Sequence, residues 1–264
     1  MSAVPMPRWS TLAVRLTPVL LVAAGLARPV SARATPFSTG DSLYAAGQPR
    51  AARDEWLRGL TSGADRYALL CRLARAESEL AEDAHGEEQR QLAMAAVEHA
   101  RRAVALAPDS AGGHAWLAVA LGRQALREGP RTRLALAREI KAEADRAIAL
   151  DPASGRAFHV RALWHRDLAS LNLLERGIAR TWGGIPPGAS MEGAVRDLEQ
   201  AARLEPAHVH HRLELARTYA MLKRRADARR ELEQALALPP RGGARDRRYQ
   251  EEARALLAKL PGNG

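Results

Sequence analysis

Three imidazoles crowd one short stretch of this chain, His208-Val-His210-His211, and imidazole is a common ligand for zinc and related ions. On a helix, adjacent and alternate positions do not share a face. The stretch therefore reads as a partly solvated helix start, and no metal site is expected. Cys71 is the only cysteine, so an intramolecular disulfide is excluded and a buried structural thiol is expected. There is no glycine-rich phosphate loop, no zinc-binding cysteine pair and no Gly-x-Ser-x-Gly elbow. The chain reads as a non-enzyme with no cofactor.

The remaining chemistry is that of recognition. Arginine and histidine recur beside apolar residues in two segments, Arg156, His159, Leu163 and Arg166, then His210, Leu213, Arg217 and Met221. Such residues on one surface would suit a protein or peptide partner of acidic character, through bidentate contacts and apolar pockets. A plain solvated basic groove is the alternative.

A repeat places these residues on one face. Four segments end alike, Ala103 to Pro108, Ala147 to Pro152, Ala201 to Pro206 and Ala235 to Pro240. An alanine lets two helices approach closely, and the proline five residues later ends the helix. The prolines are 44, 54 and 34 residues apart. The last interval matches the helical hairpin of about 34 residues that defines the tetratricopeptide unit. Leu215-Ala216 and Tyr219 fit its first helix, and Ala228, Leu232 and Ala235 its second. The first helix of each hairpin lines the inner face of such an array, which assigns the two recognition segments to that face.

The longer intervals are units carrying about 10 and about 20 extra residues, expected between the two helices of a hairpin. In the longest unit the insertion spans 176–190, with the preceding helix extended through Leu171 to Arg176. It contains Trp182, Ile185, three glycines and two prolines between Arg180 and Ser190, a composition that breaks helices. Ser190 is placed to cap the helix that resumes, with Glu192 near its positive end. Trp182 and Ile185 either fold back over the lengthened helix or form a binding lip at the edge of the array.

The whole reads as an all-α solenoid of three to four hairpins with two enlarged units and a C-terminal capping helix over 245–260. Residues 35–62 form an abbreviated hairpin around Ala52, Trp56 and Gly59; residues 63–260 form the array, with Leu69, Leu73, Ala76 and Leu80 as one apolar stripe; 261–264 are a tail.

Residues 1–34 hold Arg8, Arg15, Arg28 and Arg33 and no acid, around an apolar run from Leu16 to Ala27 that ends in Ala32-Arg33-Ala34. That pattern describes a secretory signal cleaved after Ala34, and an exported, periplasmic protein; a retained segment would make it a membrane anchor. Its removal lowers the formal net charge from +10 to +6. The other basic residues alternate with glutamate along helices, as in Arg72 to Glu77, which argues for solvated helix faces and against nucleic acid.

From Gly40 to Leu260 the chain resembles the regulator-of-microtubule-dynamics family of tetratricopeptide proteins. The likeness runs through Asp41 to Gly47, Arg72 to Ala76, His114 to Ala118, Ile140 to Pro152, Trp164 with Leu171 to Glu175, and the final hairpin. It implies an all-helical, non-enzymatic repeat region that binds protein. The family is named for microtubules, and some members tether organelles; fold alone does not transfer those roles. The Lys-and-Asn arrangement of tetratricopeptide domains that clamp chaperone C-termini is absent: His159, Leu163, Leu213 and Arg217 stand there instead.

Overall fold

The computed structural model describes residues 36–61 and 66–261, and the expected export segment and the last three residues lie outside them. The described residues form twelve helices and no strand. They pair as five antiparallel hairpins, α1 (Pro36–Ala45) with α2 (Pro49–Thr61), α3 (Arg66–Asp83) with α4 (Gly86–Leu106), α5 (Ala111–Ala125) with α6 (Pro130–Leu150), α7 (Gly155–Ala169) with α9 (Met191–Leu204), and α10 (Val209–Met221) with α11 (Arg225–Ala237). The short α8 (Leu173–Arg180) lies inside the fourth hairpin, and α12 (Ala244–Lys259) packs on α10 and α11.

The repeat residues explain this architecture. Ala103, Ala147, Ala201 and Ala235 are fully buried, because only a methyl group fits where the two helices of a hairpin touch. Pro108, Pro152 and Pro206 each follow the last helical residue by two, where a missing N–H costs no helical hydrogen bond. Leu215, Ala216, Tyr219, Ala228 and Leu232 are buried in the last hairpin. Tyr249, Ala253, Leu256, Leu257 and Leu260 of the closing helix and its end cover the apolar face that this hairpin would leave open.

Four expectations are corrected. The stripe at Leu69, Leu73, Ala76 and Leu80 belongs to a complete hairpin, α3–α4, so the described part of the solenoid has five hairpins, α1–α2 included, instead of three to four. The extra residues of the α5–α6 unit do not form an inserted loop. They lengthen α6 to 21 residues, and only four residues join it to α5; Pro130 occupies its first turn, where proline is tolerated.

In the enlarged fourth unit, α7 is not extended through Leu171 to Arg176. It stops at Ala169, because Asn172 starts a new helix with a capping box: its side chain accepts from the Glu175 N–H at 2.9 Å while Glu175 accepts from the Asn172 N–H at 2.8 Å. Arg176 donates back to the Ala169 and Leu171 carbonyls, both at 2.8 Å, satisfying the orphan acceptors at the end of α7. Cys71 is half-buried, not fully buried.

Candidate functional site

The inner helices α3, α5, α7, α10 and α12, with contributions from α1, α6 and the α8 insertion, line one cavity of about 1380 Å³. One wall is apolar, with Trp116, Val119, Ile140, Val160, Leu163, Trp164 and Leu168 among its side chains. The lining also carries charged side chains, many of them paired with one another.

Glu214 is the centre of one group. It is buried, with Arg166 at 2.6 Å, His210 at 3.4 Å and Arg217 against its other oxygen, and Arg217 reaches Glu252 of α12 at 2.5 Å. Burial opposes ionisation of Glu214, but His210, Arg166 and Arg217 outweigh it and hold the carboxyl well below the usual range.

A second group joins the two ends of the chain. Tyr249 of α12 donates its hydroxyl to Glu82 of α3 at 2.8 Å, and Arg248 reaches the same carboxylate at 2.8 Å and Asp83 beside it. Arg123 of α5 also pairs with Glu82, while Arg245 of α12 lies 2.9 Å from Glu79, which accepts from Tyr44 of α1. Burial works against the Glu82 carboxylate, yet Arg123, His210, Tyr249 and Arg248 hold its pKa below normal. Burial together with Glu79 pushes the Tyr44 hydroxyl up to about 12. These contacts bring α12 across the cavity onto α3.

The third group is imidazole-rich. The Nδ1 atoms of His159 and His211 are 2.8 Å apart, so one donates and the other accepts; His211 Nε2 is 3.0 Å from Glu205. Burial, followed by the neighbouring imidazoles, keeps His159 neutral well below its ordinary pKa, and the His211 hydrogen bond lowers Glu205 to about 2. His210 touches the His159 ring, with centroids 4.8 Å apart, and stacks on Tyr249 with centroids 4.1 Å apart and planes at 4°.

Arg156 stands apart. Its guanidinium lies 3.9 Å above the Trp116 ring, a cation–π geometry, and no carboxylate among the described residues is within ion-pair distance of it. Ser78 Oγ and Arg245 Nε, buried beside the same cavity, have no hydrogen-bond partner among the described residues.

Of the residues assigned to the inner face, Arg156, His159, Leu163, Arg166, His210 and Arg217 line the cavity, as does Trp182. Leu213 does not. It is fully buried between α10 and its neighbours, because at about 100° per residue it lies off the His210, Glu214, Arg217 line that faces the cavity. Met221, the last residue of α10, is half exposed outside the lining. Arg166 and Arg217 are not free cations but hold Glu214.

The insertion divides its two large side chains. Ile185 folds back onto the core with Leu171 and Ala189, and Arg138 of α6 fixes the loop by donating to the Gly184 carbonyl at 2.8 Å. Gly183 and Gly184 both take positive φ, a conformation that suits glycine. Trp182 stays about a third exposed at the rim. Ser190 caps α9 by accepting from Gly193 N–H at 2.9 Å.

Glu79, Glu82, Trp116, Glu214, Arg245 and Tyr249 are cavity residues that the repeat projection misses. Extending the same register to α3 and α5 would have found Glu79, Glu82 and Trp116. The polar first half of α12 carried the remaining signal, since a pure cap needs no inward arginines.

The family model described as "Regulator of microtubule dynamics protein 1-3" matches residues 37–261 of this chain. Regulator of microtubule dynamics protein 1 of Bos taurus is 31% identical over 192 residues, which is 72% of this chain and 60% of that protein. The Caenorhabditis elegans protein of the same name is 25% identical over 223 residues, 84% of this chain and 98% of its own length. The chain thus spans about three fifths of the mammalian protein 1 relatives it matches and 37% of a bovine protein 3 relative. A thermophilic TPR protein of Thermus thermophilus superposes with a TM-score of 0.62 at 22% identity, covering 83% of this chain and 97% of that one, which establishes the tetratricopeptide-type solenoid.

Proposed function

The chain belongs to the regulator of microtubule dynamics protein 1-3 family, and from that premise we propose that it is an exported, non-enzymatic scaffold that holds a protein or peptide partner in its central cavity. The observation that carries this reading is the cavity's mixed lining: apolar side chains around Leu163 and Trp164 lie beside a set of paired charges. Apolar side chains of an extended peptide would fill the first. A carboxylate of the partner would reach Arg156, which needs no internal ion pair broken to receive it.

Leu163 is only half-buried on the cavity wall, so Leu163→Asp alters recognition with little cost to the core. Affinity capture from the native cell envelope should lose its specific partner with this variant and keep it with Glu233→Arg on the exposed side of α11. Equal capture by both variants would remove the cavity from the account.

One observation favours a second reading, a self-assembling module. Leu173 and Leu174 of α8 are 89% and 72% exposed, more apolar surface than a short solvated helix needs. Light scattering that gives a concentration-independent monomer would rule it out.

A further inference from the structure

We propose that Glu205, His208 and His211 form a site for a divalent transition-metal ion of the zinc class, at the turn between α9 and α10 on the cavity wall. Glu205 is the last-turn cap of α9, His208 caps α10, and His211 lies one turn inside it. The turn is tight, with His208 N–H donating to the Glu205 carbonyl at 3.0 Å and His211 N–H to the His208 carbonyl at 3.2 Å. The three side chains therefore converge, although they do not belong to a single helix face. That is why helical spacing alone argues against a site here.

One ligand atom from each residue lies within 4.8 Å of the others, and His211 Nε2 is 3.0 Å from Glu205 Oε2. Bonds near 2.0–2.1 Å in a tetrahedral centre put ligand atoms about 3.3 Å apart. The Glu205–His211 pair, at 3.0 Å, is within a few tenths of an ångström of that separation. His208 is exposed and stacked on His211, centroids 4.2 Å apart and planes at 12°; rotation out of that stack closes the set. A mixed imidazole and carboxylate set suits zinc and its neighbours better than magnesium or calcium.

The surroundings prepare the ligands. With Nε2 on an ion, neutral His211 carries its proton on Nδ1 and donates it to His159 Nδ1, the atom 2.8 Å away, so a buried imidazole fixes the ring as outer-shell partners do in metal sites. Gly155 gives the carboxylate room: a Cβ there would meet Glu205 Oε1 at 2.7 Å. His210 is excluded, since it faces Tyr249 and Glu214. Three protein ligands leave a fourth position of a tetrahedral ion open, and all three residues line the cavity. Arg156 acts electrostatically on Glu205 and His208 and works against a cation here, which gives the site a distinctive signature.

The test is a titration of the purified, chelator-treated full chain with Zn²⁺ in competition with a chromogenic chelator, with Co²⁺ absorption as a measure of tetrahedral coordination. We expect one equivalent of Zn²⁺. His208→Ala and Glu205→Gln should each weaken it at least tenfold, His85→Ala should leave it unchanged, and Arg156→Met should tighten it. The His208 side chain makes no cap hydrogen bond, so its removal spares the fold. Absence of stoichiometric binding, or affinity that survives both His208→Ala and Glu205→Gln, overturns the proposal.

Discussion

Tyr249, on the last helix, donates its hydroxyl to Glu82 of the second hairpin, 167 residues earlier in the chain, at 2.8 Å. A solenoid whose repeats touch only their neighbours would not make this contact. Here α12 both covers the last hairpin and clasps the inner helix α3, so the cavity is bounded from two ends of the sequence. Arg245 and Arg248 strengthen the clasp through Glu79, Glu82 and Asp83.

The clasp predicts a graded opening. Tyr249→Phe removes one hydrogen bond to a charged acceptor and should cost about 1.5–3 kcal/mol at most, while keeping the stack on His210. Arg245→Ala with Arg248→Ala should raise amide exchange along α12 and α3 and enlarge the radius of gyration in small-angle scattering. Unchanged exchange in both helices would show that α12 stays in place through its apolar contacts alone.

Acid should loosen the same region. Glu82 and Glu214 have folded-state pKa values below normal, so unfolding takes up protons as the pH drops. Their stabilisation is complete above the ordinary glutamate pKa near 4.3 and is lost as the pH falls through the lower folded values. The thermal midpoint is expected to fall gently below about pH 6.5, where the unfolded chain takes up a proton that buried His159 resists, and more steeply below about 4.3 as the carboxylates add their share. In Glu82→Gln the decline should be shallower, with a lower starting point; an identical slope would remove Glu82 from the linkage.

The insertion should separate stability from recognition. Ile185→Ala deletes a side chain packed on the largest core cluster and should cost about 1–2 kcal/mol by the methylenes lost from a half-buried site. Trp182→Ala, at the rim, should change the unfolding midpoint little but weaken partner capture. Denaturant titration and capture on the two variants resolve this; a large stability loss in Trp182→Ala would make the whole loop a packing element.

Arg161 ties three helices together. It donates to both oxygens of buried Asp197 at 2.7 and 2.9 Å and to Asp145 at 2.9 Å. Arg161→Leu leaves Asp197 without its main partner and should destabilise by about 2–3 kcal/mol, while Arg161→Lys, lacking the fork, should recover only part. Urea unfolding measures both.

Much of this was legible in the chain because repeats leave a local signature. An alanine that is fully buried and a proline two residues past a helix end are the same event at Pro108, Pro152 and Pro206, and both are written in the residue types. The capping box at Asn172 and Glu175 is equally present in the sequence, yet only the fold shows that it starts a separate helix there. What the sequence hid were pairings between distant elements. Nothing local to Glu82 points to Tyr249, and nothing local to Arg166 points to Glu214. A charge read alone looks free for a partner; in the fold it is already engaged.

The central claim is that the cavity receives the partner, and site-specific photocrosslinking in the native cell tests it most directly. With a photoreactive residue at Leu163 on the cavity wall, the account predicts a discrete crosslinked species that is absent when the same group replaces Glu233 on the exposed side of α11. A species formed from position 233 and not from 163 would place the partner on the outer surface and contradict the account.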